Sequence, residues 1–544
     1  MIRSGVAAIV GLLLIASALW LGLRLRAAVW EWTMPIRYNG DINNGFRWGN
    51  FAQQVGYFNV YDVIGDPALP GGRGRRLDYA PLRLGLMSWW VGWLERNGRL
   101  TIDHGPQSRL SRWPQPDLVR EPDRAFHAPL LAFNTVMEGL TATSAALLVW
   151  HVRRRAGGAS PIATAGLAGA AALLVWFNPA SLYEAHAWPQ WDIWPMPFFL
   201  TALYCGMRRW WLAAGLLIGV ASMLKGQILL VAWVLPLWAI CLGQWRGALR
   251  LIAGALAAIL LTGLPWVLTH YDPVTRLRDV NMPSVALGVL VTLAAALLPR
   301  RFSPGLICLA LIATLYTSMY YLGGSDNWLQ CAFGVGTYNH PGMFLGPTSN
   351  LPAILRTYYR WSSIHTPVFT APALVWLDGT GAEAFRAGGL ITIRTLLLLV
   401  YGAFCVVCGV RAATLDRRND PRVIVALSLP WLFFFLIPCQ MHERYLTYVA
   451  VCAATWVICG VGATLLGMVL MLVALIHLLM TVMYTNMVVP AGIERRGEDP
   501  IGFLRTLIEP THPGIAWMLM LIALVLLYGL FAPRRRTEVS HAAA

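Results

Sequence analysis

Residues 465–486 read LLGMVLMLVALIHLLMTVMYTN, an apolar run that contains one histidine and no charged side chain. A helix of about 20 such residues crosses the roughly 30 Å hydrocarbon layer of a bilayer. Comparable blocks recur along the 544-residue chain, at approximately 5–23, 126–150, 162–178, 193–207, 210–224, 227–243, 251–269, 282–298, 303–322, 389–409, 423–438, 446–462 and 515–532. The pattern predicts an all-α integral membrane protein with about 13–14 transmembrane helices.

The composition excludes an ordinary soluble protein. Hydrophobic residues make up 57% of the chain and charged residues only 12%, too few to cover the surface of a soluble domain of this length. The net charge of +16 does not indicate nucleic-acid binding, because the basic residues lie in short runs between apolar blocks. The 9 cysteines show no metal-ligand spacing, and we expect them to pack in the core without disulfides.

The basic runs predict the topology. With a cytoplasmic N-terminus, six runs face the cytoplasm, as the positive-inside rule requires: 151–155, 208–209, 246–250, 300–301, 411–422 and 534–536. We therefore expect a multi-pass protein of the cell (inner) membrane with both termini cytoplasmic. The first block is interpreted as a retained helix, because it is too long for a signal peptide and no good cleavage site follows it.

The long loops then fall on the extracytoplasmic side, at about 24–125, 179–192, 270–281, 323–388, 439–445 and 487–514. Two apolar segments in these loops, Leu82–Leu94 and Pro367–Leu377, are too short to span a bilayer and predict interfacial helices. We expect one module over residues 1–450, which includes the outer loop 24–125. C-terminal helices over 451–544 would follow, with the outer loop 487–514.

Several polar clusters share this predicted outer face. Each has a plain alternative: Asp41 is merely solvated, the tryptophans of 188–194 form an interfacial belt, or Lys225 extends to the interface. The segment His442-Glu443-Arg444 is harder to dismiss, because three ionisable residues in so short a loop are costly to desolvate.

Together the clusters resemble the GT-C superfamily of integral membrane glycosyltransferases, in particular bacterial mannosyltransferase-like members that use polyprenyl-phosphate sugars. The resemblance spans about residues 1–450 and rests on the order of the motifs. They are the Asp41 segment with Trp48-Gly49-Asn50-Phe51-Ala52, Asp78-Tyr79-Ala80-Pro81-Leu82, Asn178-Pro179 leading to Gln190-Trp191-Asp192, Leu224-Lys225-Gly226-Gln227, and Met441-His442-Glu443-Arg444-Tyr445-Leu446. Two positions depart from the family pattern, since Pro189 stands where a Gly is usual and Gly226 where a Pro is usual.

The resemblance implies inverting transfer of a monosaccharide, with mannose as the first guess, from a polyprenyl-phosphate donor on the extracytoplasmic face. Asp41 would be the catalytic base, with Asp192 and Glu184 as further acidic candidates. The donor phosphate and substrate would be bound by residues from the other four motifs: His442, Glu443, Arg444, Tyr445, Lys225, Gln227, His186, Gln190, Asp78 and Tyr79. No cofactor or metal is expected.

The acceptor is left open between a glycolipid, a glycan and a protein. Two other functions also stay open. One is a transporter or flippase of lipid-linked sugars, which should show mid-helix charges and repeated halves. The other is a polymerase or ligase of lipid-linked oligosaccharides.

Overall fold

The computed structural model describes residues 2–33, 40–63, 77, 79–102, 124–158, 160–272, 275, 277–297, 303–324, 327–333, 348–359, 392–439, 441–488 and 511–533. The described chain is nearly all helical. The helices are α1 (Ile2–Thr33), α2 (Gly40–Val55), α3 (Val60–Val63), α4 (Pro81–Arg96), α5 (Arg124–Ala156), α6 (Pro161–Trp176), α7 (Pro179–Leu182), α8 (Met196–Met207), α9 (Trp211–Leu224), α10 (Ile228–Ala232), α11 (Val234–Cys241), α12 (Trp245–Leu268), α13 (Met282–Leu297), α14 (Ser303–Tyr320), α15 (Asn327–Phe333), α16 (Leu351–Tyr359), α17 (Ile393–Arg417), α18 (Val423–Leu436), α19 (Leu446–Ala453), α20 (Val461–Val488) and α21 (Thr511–Phe531).

Short irregular helical turns connect some of these helices, and one hairpin is present. The 3-10 turns are Tyr57–Asn59, Glu443–Tyr445 and Ala454–Cys459, and Tyr183–Ala187 is a π-helical turn. The hairpin pairs β1 (Thr269–Tyr271) with β2 (Arg278–Val280) in antiparallel register, with Thr269 opposite Val280.

The predicted fold class is confirmed, because helix lies in every predicted apolar block. Among the described residues, six helices are long and apolar enough to cross a membrane: Leu13–Thr33, Pro161–Ala187, Trp245–Leu268, Ile393–Arg417, Val461–Met480 and Thr511–Phe531. Shorter apolar helices of 10–17 residues accompany them. The predicted segment Leu82–Leu94 is helical as part of α4, which is not among the candidate spans; the segment Pro367–Leu377 lies outside the described residues.

Short helices form the centre of the bundle. All residues of α18 and α19 are buried, which is the pattern of a helix surrounded on every side by other helices. The long helices α1, α17, α20 and α21 instead expose rows of large apolar side chains. Such a surface needs lipid around it. Each short helix packs against a long neighbour, α8 on α5, α9 on α12, α18 on α17 and α19 on α20.

A glycine-lined crossing joins α9 to α12. A Cβ added at Gly215 would lie 1.9 Å from the Leu251 carbonyl oxygen, and one at Gly254 would lie 2.4 Å from the Leu212 carbonyl oxygen. Only glycine permits this approach at both positions. Small residues four apart, such as Gly215 and Gly219, are a common device for close helix packing in membranes. The crossing fixes the position of α9 and therefore of Lys225, which follows it.

One end of the bundle is held by a buried carboxylate, and we call this group the Asp416 cluster: Asp416, Arg155, Arg209 and Trp238. The Asp416 side chain accepts hydrogen bonds from Arg155 Nη1 at 2.6 Å, Arg209 Nη1 at 2.7 Å and Trp238 Nε1 at 3.1 Å. Three of the basic runs predicted to share one membrane side, 151–155, 208–209 and 411–422, therefore meet at one end of the described helices.

The short central helices α8, α9 and α18 are shorter than a bilayer is thick. The helix α8 has 12 residues, and α9 and α18 have 14 each. At 1.5 Å per residue they are about 18–21 Å long. The hydrocarbon layer is roughly 30 Å thick. Measured from the end that carries the Asp416 cluster, the opposite ends of these helices therefore fall about 10 Å short of that thickness, and we call them the recessed end.

The segment before α5 lies over this recessed end. Helix α4 packs on α2 and also contacts α9, α12 and α5. Pro81 begins α4 at a position where the missing N–H of proline costs nothing. The hairpin fastens the same region: Arg278 donates to the Phe58 carbonyl at 2.6 Å and forms an ion pair with Asp62. Trp266 Nε1 also donates to the Phe58 carbonyl, at 2.8 Å.

Candidate functional site

Ionisable side chains from distant parts of the chain meet at the recessed end, and we call them the Asp192 cluster: Asp192, Glu184, Lys225, Arg444 and Tyr448. The Asp192 carboxylate accepts hydrogen bonds from Lys225 Nζ and from the Tyr448 hydroxyl. Arg444 Nε lies 3.3 Å from the second Asp192 oxygen. The Glu184 carboxyl is within electrostatic reach of Asp192 and Thr447. Asp192 and Lys225 are almost completely buried, so the cluster is a charged centre shielded from solvent.

Asp192 is positioned by an irregular chain segment between α7 and α8. Asn178 caps α7 by accepting from the Ala180 and Ser181 amides, and proline occupies the first helical position after it. The π-helical turn Tyr183–Ala187 follows, a geometry that is frequent at functional sites.

Asn134 of α5 holds this segment from one side. Its Nδ2 donates to the Ala185 carbonyl at 2.7 Å and to the Gln190 carbonyl at 2.9 Å. Its Oδ1 accepts from Trp194 Nε1 at 2.6 Å. A single buried amide therefore fixes the backbone before Asp192 and the Trp194 side chain after it.

Arg444 and Tyr445 enter from the loop between α18 and α19. The 3-10 turn Glu443–Tyr445 continues directly into α19, which also carries Tyr448. The Tyr445 ring is stacked on Tyr448, with ring centroids 6.0 Å apart, and Gln227 Nε2 lies 3.2 Å from the Tyr445 hydroxyl. These contacts link the two arms of the site, by which we mean the turn after α9 that carries Lys225 and Gln227, and the loop before α19 that carries Arg444 and Tyr445.

Burial and the neighbouring charges shift the pKa of both Asp192 and Lys225. Burial alone would raise the pKa of the Asp192 carboxyl, but Lys225 and Arg444 outweigh burial and hold that pKa well below its usual range. Burial lowers the pKa of Lys225 to about 8; Asp192 opposes this shift, and Arg444 and Arg83 add to it. Asp192 is therefore a firmly ionised carboxylate.

Other predicted site residues lie elsewhere or beside the cluster. His186 Nε2 is 2.8 Å from the Glu138 carboxylate, which also accepts from Arg26 Nε at 2.7 Å, so His186 belongs to a separate buried network. Gln190 is 1% exposed, and neither atom of its amide has a hydrogen-bond partner among the described residues. Tyr79 lies just before α4, where its carbonyl accepts from the Tyr61 hydroxyl at 2.6 Å.

The remaining predicted residues are described in part or not at all. His442 is half-buried, with Nδ1 3.9 Å from the Glu443 carboxylate. Asp41 occupies the first turn of α2, and its side chain lies outside the described atoms. Asp78 lies outside the described residues.

Four residues of this region were missed by the sequence analysis as site residues: Asn134, Tyr448, Glu138 and Arg83. Polar residues inside apolar blocks are a usable signal for Asn134, Glu138 and Arg83, because such residues are rare in membrane helices and mark functional or structural centres. Tyr448 gave no such signal. The part of the chain that the structure describes holds no group of three His, Cys, Asp or Glu side chains arranged to bind a metal.

Part of the chain matches a known protein family. Residues 125–280 match the family model described as glycosyltransferase family 87. The matched segment runs from α5 to β2 and contains Glu184, Asp192 and Lys225, whereas Arg444 and Tyr448 lie beyond it. No curated protein sequence matches the chain. The resemblance to membrane glycosyltransferases of the GT-C type is thereby confirmed, and the chain is an all-α membrane protein that matches glycosyltransferase family 87 over residues 125–280.

Proposed function

We propose that the chain is an inverting glycosyltransferase that moves a monosaccharide, mannose in the first instance, from a polyprenyl-phosphate donor to an acceptor hydroxyl on the extracytoplasmic face. The observation that carries the proposal is the Asp192 cluster itself. Buried charges in a membrane protein are expensive and mark substrate or ion sites. This cluster lies partly within the segment that matches a glycosyltransferase family.

The proposed side of the membrane follows from the two ends of the bundle. The Asp416 cluster joins arginines of two basic runs, Arg155 and Arg209, to a carboxylate of a third, and such runs favour the cytoplasm. The Asp192 cluster lies at the opposite end of α8 and α9. It would therefore open toward the extracytoplasmic leaflet of the cell (inner) membrane, where a lipid-linked donor can enter laterally with its tail between helices.

The proposed reaction is a single displacement. The acceptor oxygen forms a bond to the anomeric carbon while the bond from that carbon to the phosphate oxygen breaks. Polyprenyl phosphate leaves with the electron pair, and the acceptor proton passes to a carboxylate base. A positioned base contributes typically ~10²–10⁴-fold to such a rate. The transition state has oxocarbenium character, which a nearby carboxylate stabilises.

The roles proposed for the acids differ. A carboxylate held by two cations is a weak base, so Asp192 is better suited to orienting Lys225 and Arg444. Asp41 is kept as the proposed base, with Glu184 as a second acid. Position 41 lies one helical turn before Gly45, where an added Cβ would come within 3.0 Å of the Trp191 ring.

The proposed donor contacts come from both arms of the site. Arg444, Lys225 and His442 would stabilise the charge of the departing phosphate, because cations aimed at developing negative charge lower the barrier. The buried Gln190 amide, which has no hydrogen-bond partner among the described residues, is suited to sugar hydroxyls.

The test is the release of free polyprenyl phosphate, measured by mass spectrometry on purified protein. Polyprenyl-phosphate mannose, glucose and arabinose would each be offered with a crude lipid and glycan extract as acceptor. We compare wild type with Asp41→Asn and with Glu31→Gln, a control whose side chain is 68% exposed.

Release by wild type and Glu31→Gln from one donor, and none by Asp41→Asn, is the expected result. Full release by Asp41→Asn would remove Asp41 from the mechanism. No release by wild type from any of these donors would contradict the proposal and favour a flippase, which transport of the same lipids in proteoliposomes would reveal.

A further inference from the structure

Arg83 is a buried cation with no ion-pair partner among the described residues. It lies in the first turn of α4 and is 7% exposed. Its guanidinium carbon lies 3.7 Å from the ring centroid of Tyr79 and 4.5 Å from that of Trp191. Two aromatic rings thus contact the guanidinium, and such contacts are attractive for a cation.

Ring contacts do not satisfy the N–H groups of the guanidinium. Arginine carries five N–H donors in the plane of that group. Arg83 Nε is buried and has no hydrogen-bond partner among the described residues. Because a buried charge without hydrogen bonds is strongly unfavourable in a protein interior, the N–H edge of Arg83 is suited to an acceptor that the described residues do not supply.

Arg83 also belongs to the site by position. Trp191, under its guanidinium, directly precedes Asp192, and the charge of Arg83 reaches Lys225. Lys225 and Arg444 already share the Asp192 carboxylate. Arg83 therefore adds to the positive charge of the described side chains at this end of the bundle, and an anion bound beside it would relieve its repulsion with Lys225.

The segment that carries Arg83 is anchored by aromatic residues. The Tyr57 hydroxyl donates to the Pro81 carbonyl at 2.7 Å, and the Tyr61 hydroxyl donates to the Tyr79 carbonyl at 2.6 Å. Both rings pack edge-on against Trp266. The guanidinium is thus presented by a fixed backbone, which reduces the entropy lost when a ligand binds.

We propose that Arg83 binds the phosphate monoester of a prenyl-type lipid through the N–H edge of its guanidinium. The identification of this lipid as the polyprenyl phosphate released from the sugar donor, whose own phosphate is a diester, rests on the proposed function, whereas the binding of the phosphate does not. Planar recognition of phosphate oxygens is a contact that arginine makes and lysine cannot reproduce.

The experiment uses the full chain, purified in a neutral detergent, with farnesyl phosphate as the probe and farnesol as its uncharged counterpart. The dissociation constant is obtained from the shift of thermal unfolding with probe concentration. The variants are Arg83→Gln, Arg83→Lys and Arg96→Gln, where Arg96 is an exposed arginine at the other end of the same helix.

We expect farnesyl phosphate, and not farnesol, to stabilise wild type and Arg96→Gln. Arg83→Gln should bind it about 10- to 100-fold more weakly, the loss expected for a charge-assisted contact. Arg83→Lys should be weakened several-fold. If Arg83→Gln does not fold, Arg83→Lys decides: an unchanged affinity there overturns the inference.

Three further results would overturn it. They are equal affinity in Arg83→Gln, equal stabilisation by farnesol, and equal stabilisation by phosphatidylglycerol, which would make the site a bilayer headgroup site. A lower stability of Arg83→Gln with unchanged affinity would mean that the aromatic contacts only fasten α4. Arg83-dependent binding without any sugar transfer by wild type would refute the proposed function and leave this inference standing.

Discussion

The replacement Asp192→Asn tests the charged centre most directly. Asp192 is the common partner of Lys225, Arg444 and Tyr448, and the Lys225 side chain is only 2% exposed. Removing the carboxylate charge leaves a buried ammonium without its counter-ion. Breaking a buried ion pair in this way costs about 3–5 kcal/mol. We therefore expect a loss of this size in the free energy of unfolding.

Replacing the cation of the pair should lower the free energy of unfolding by less. In Lys225→Met the Asp192 carboxylate keeps Arg444 and Tyr448, so we expect a loss of about 1–3 kcal/mol. Because the two single replacements disrupt the same pair, the double variant should lose less than their sum, with a coupling energy of about 1–3 kcal/mol. The free energy of unfolding is measured for wild type, the two single variants and the double variant, by unfolding the purified proteins in mixed micelles with increasing sodium dodecyl sulfate.

The exposed pair between Arg124 and Glu31 is the matched control. Its atoms are 3.8 Å apart and both side chains are more than half exposed, so Glu31→Gln should change stability little. A loss below about 1 kcal/mol for Asp192→Asn, or strict additivity in the double variant, would refute a buried ion pair at the centre of the site.

Two further predictions concern pH and helix packing. Because the pKa of Lys225 is lowered to about 8, its charge is present below that pH and lost above it. Transfer activity should therefore decline as pH rises through about 8. Lys225→Arg, which stays charged, should remove this decline, and a profile unchanged by that replacement would exclude Lys225 as its cause. Gly215→Val should destabilise the protein by several kcal/mol, since its Cβ would lie 1.9 Å from the Leu251 carbonyl oxygen. Gly166→Val on α6, where an added Cβ meets nothing within 4 Å, is the control, and equal unfolding curves for the two variants would contradict the close crossing of α9 and α12.

The sequence predicted which residues could share a site, but not which of them would touch. It selected Asp192, Lys225 and Arg444 from three separate loops by their polarity between apolar blocks. The contacts among them depend on how α8, α9 and α19 pack. His186 shows the limit of the method: it has the same polarity and the same predicted loop as Asp192, yet it pairs with Glu138 in another network.

The class of the protein was determined by the sequence alone, because the need to bury or expose apolar surface acts on each 20-residue block independently of the others. The position of the site at the recessed end, the place of Arg83 beside it and the shared role of Asp192 were decided only by the tertiary structure. These features arise where side chains far apart in sequence meet, and the close crossing of helices at Gly215 and Gly254 helps to determine which ones do.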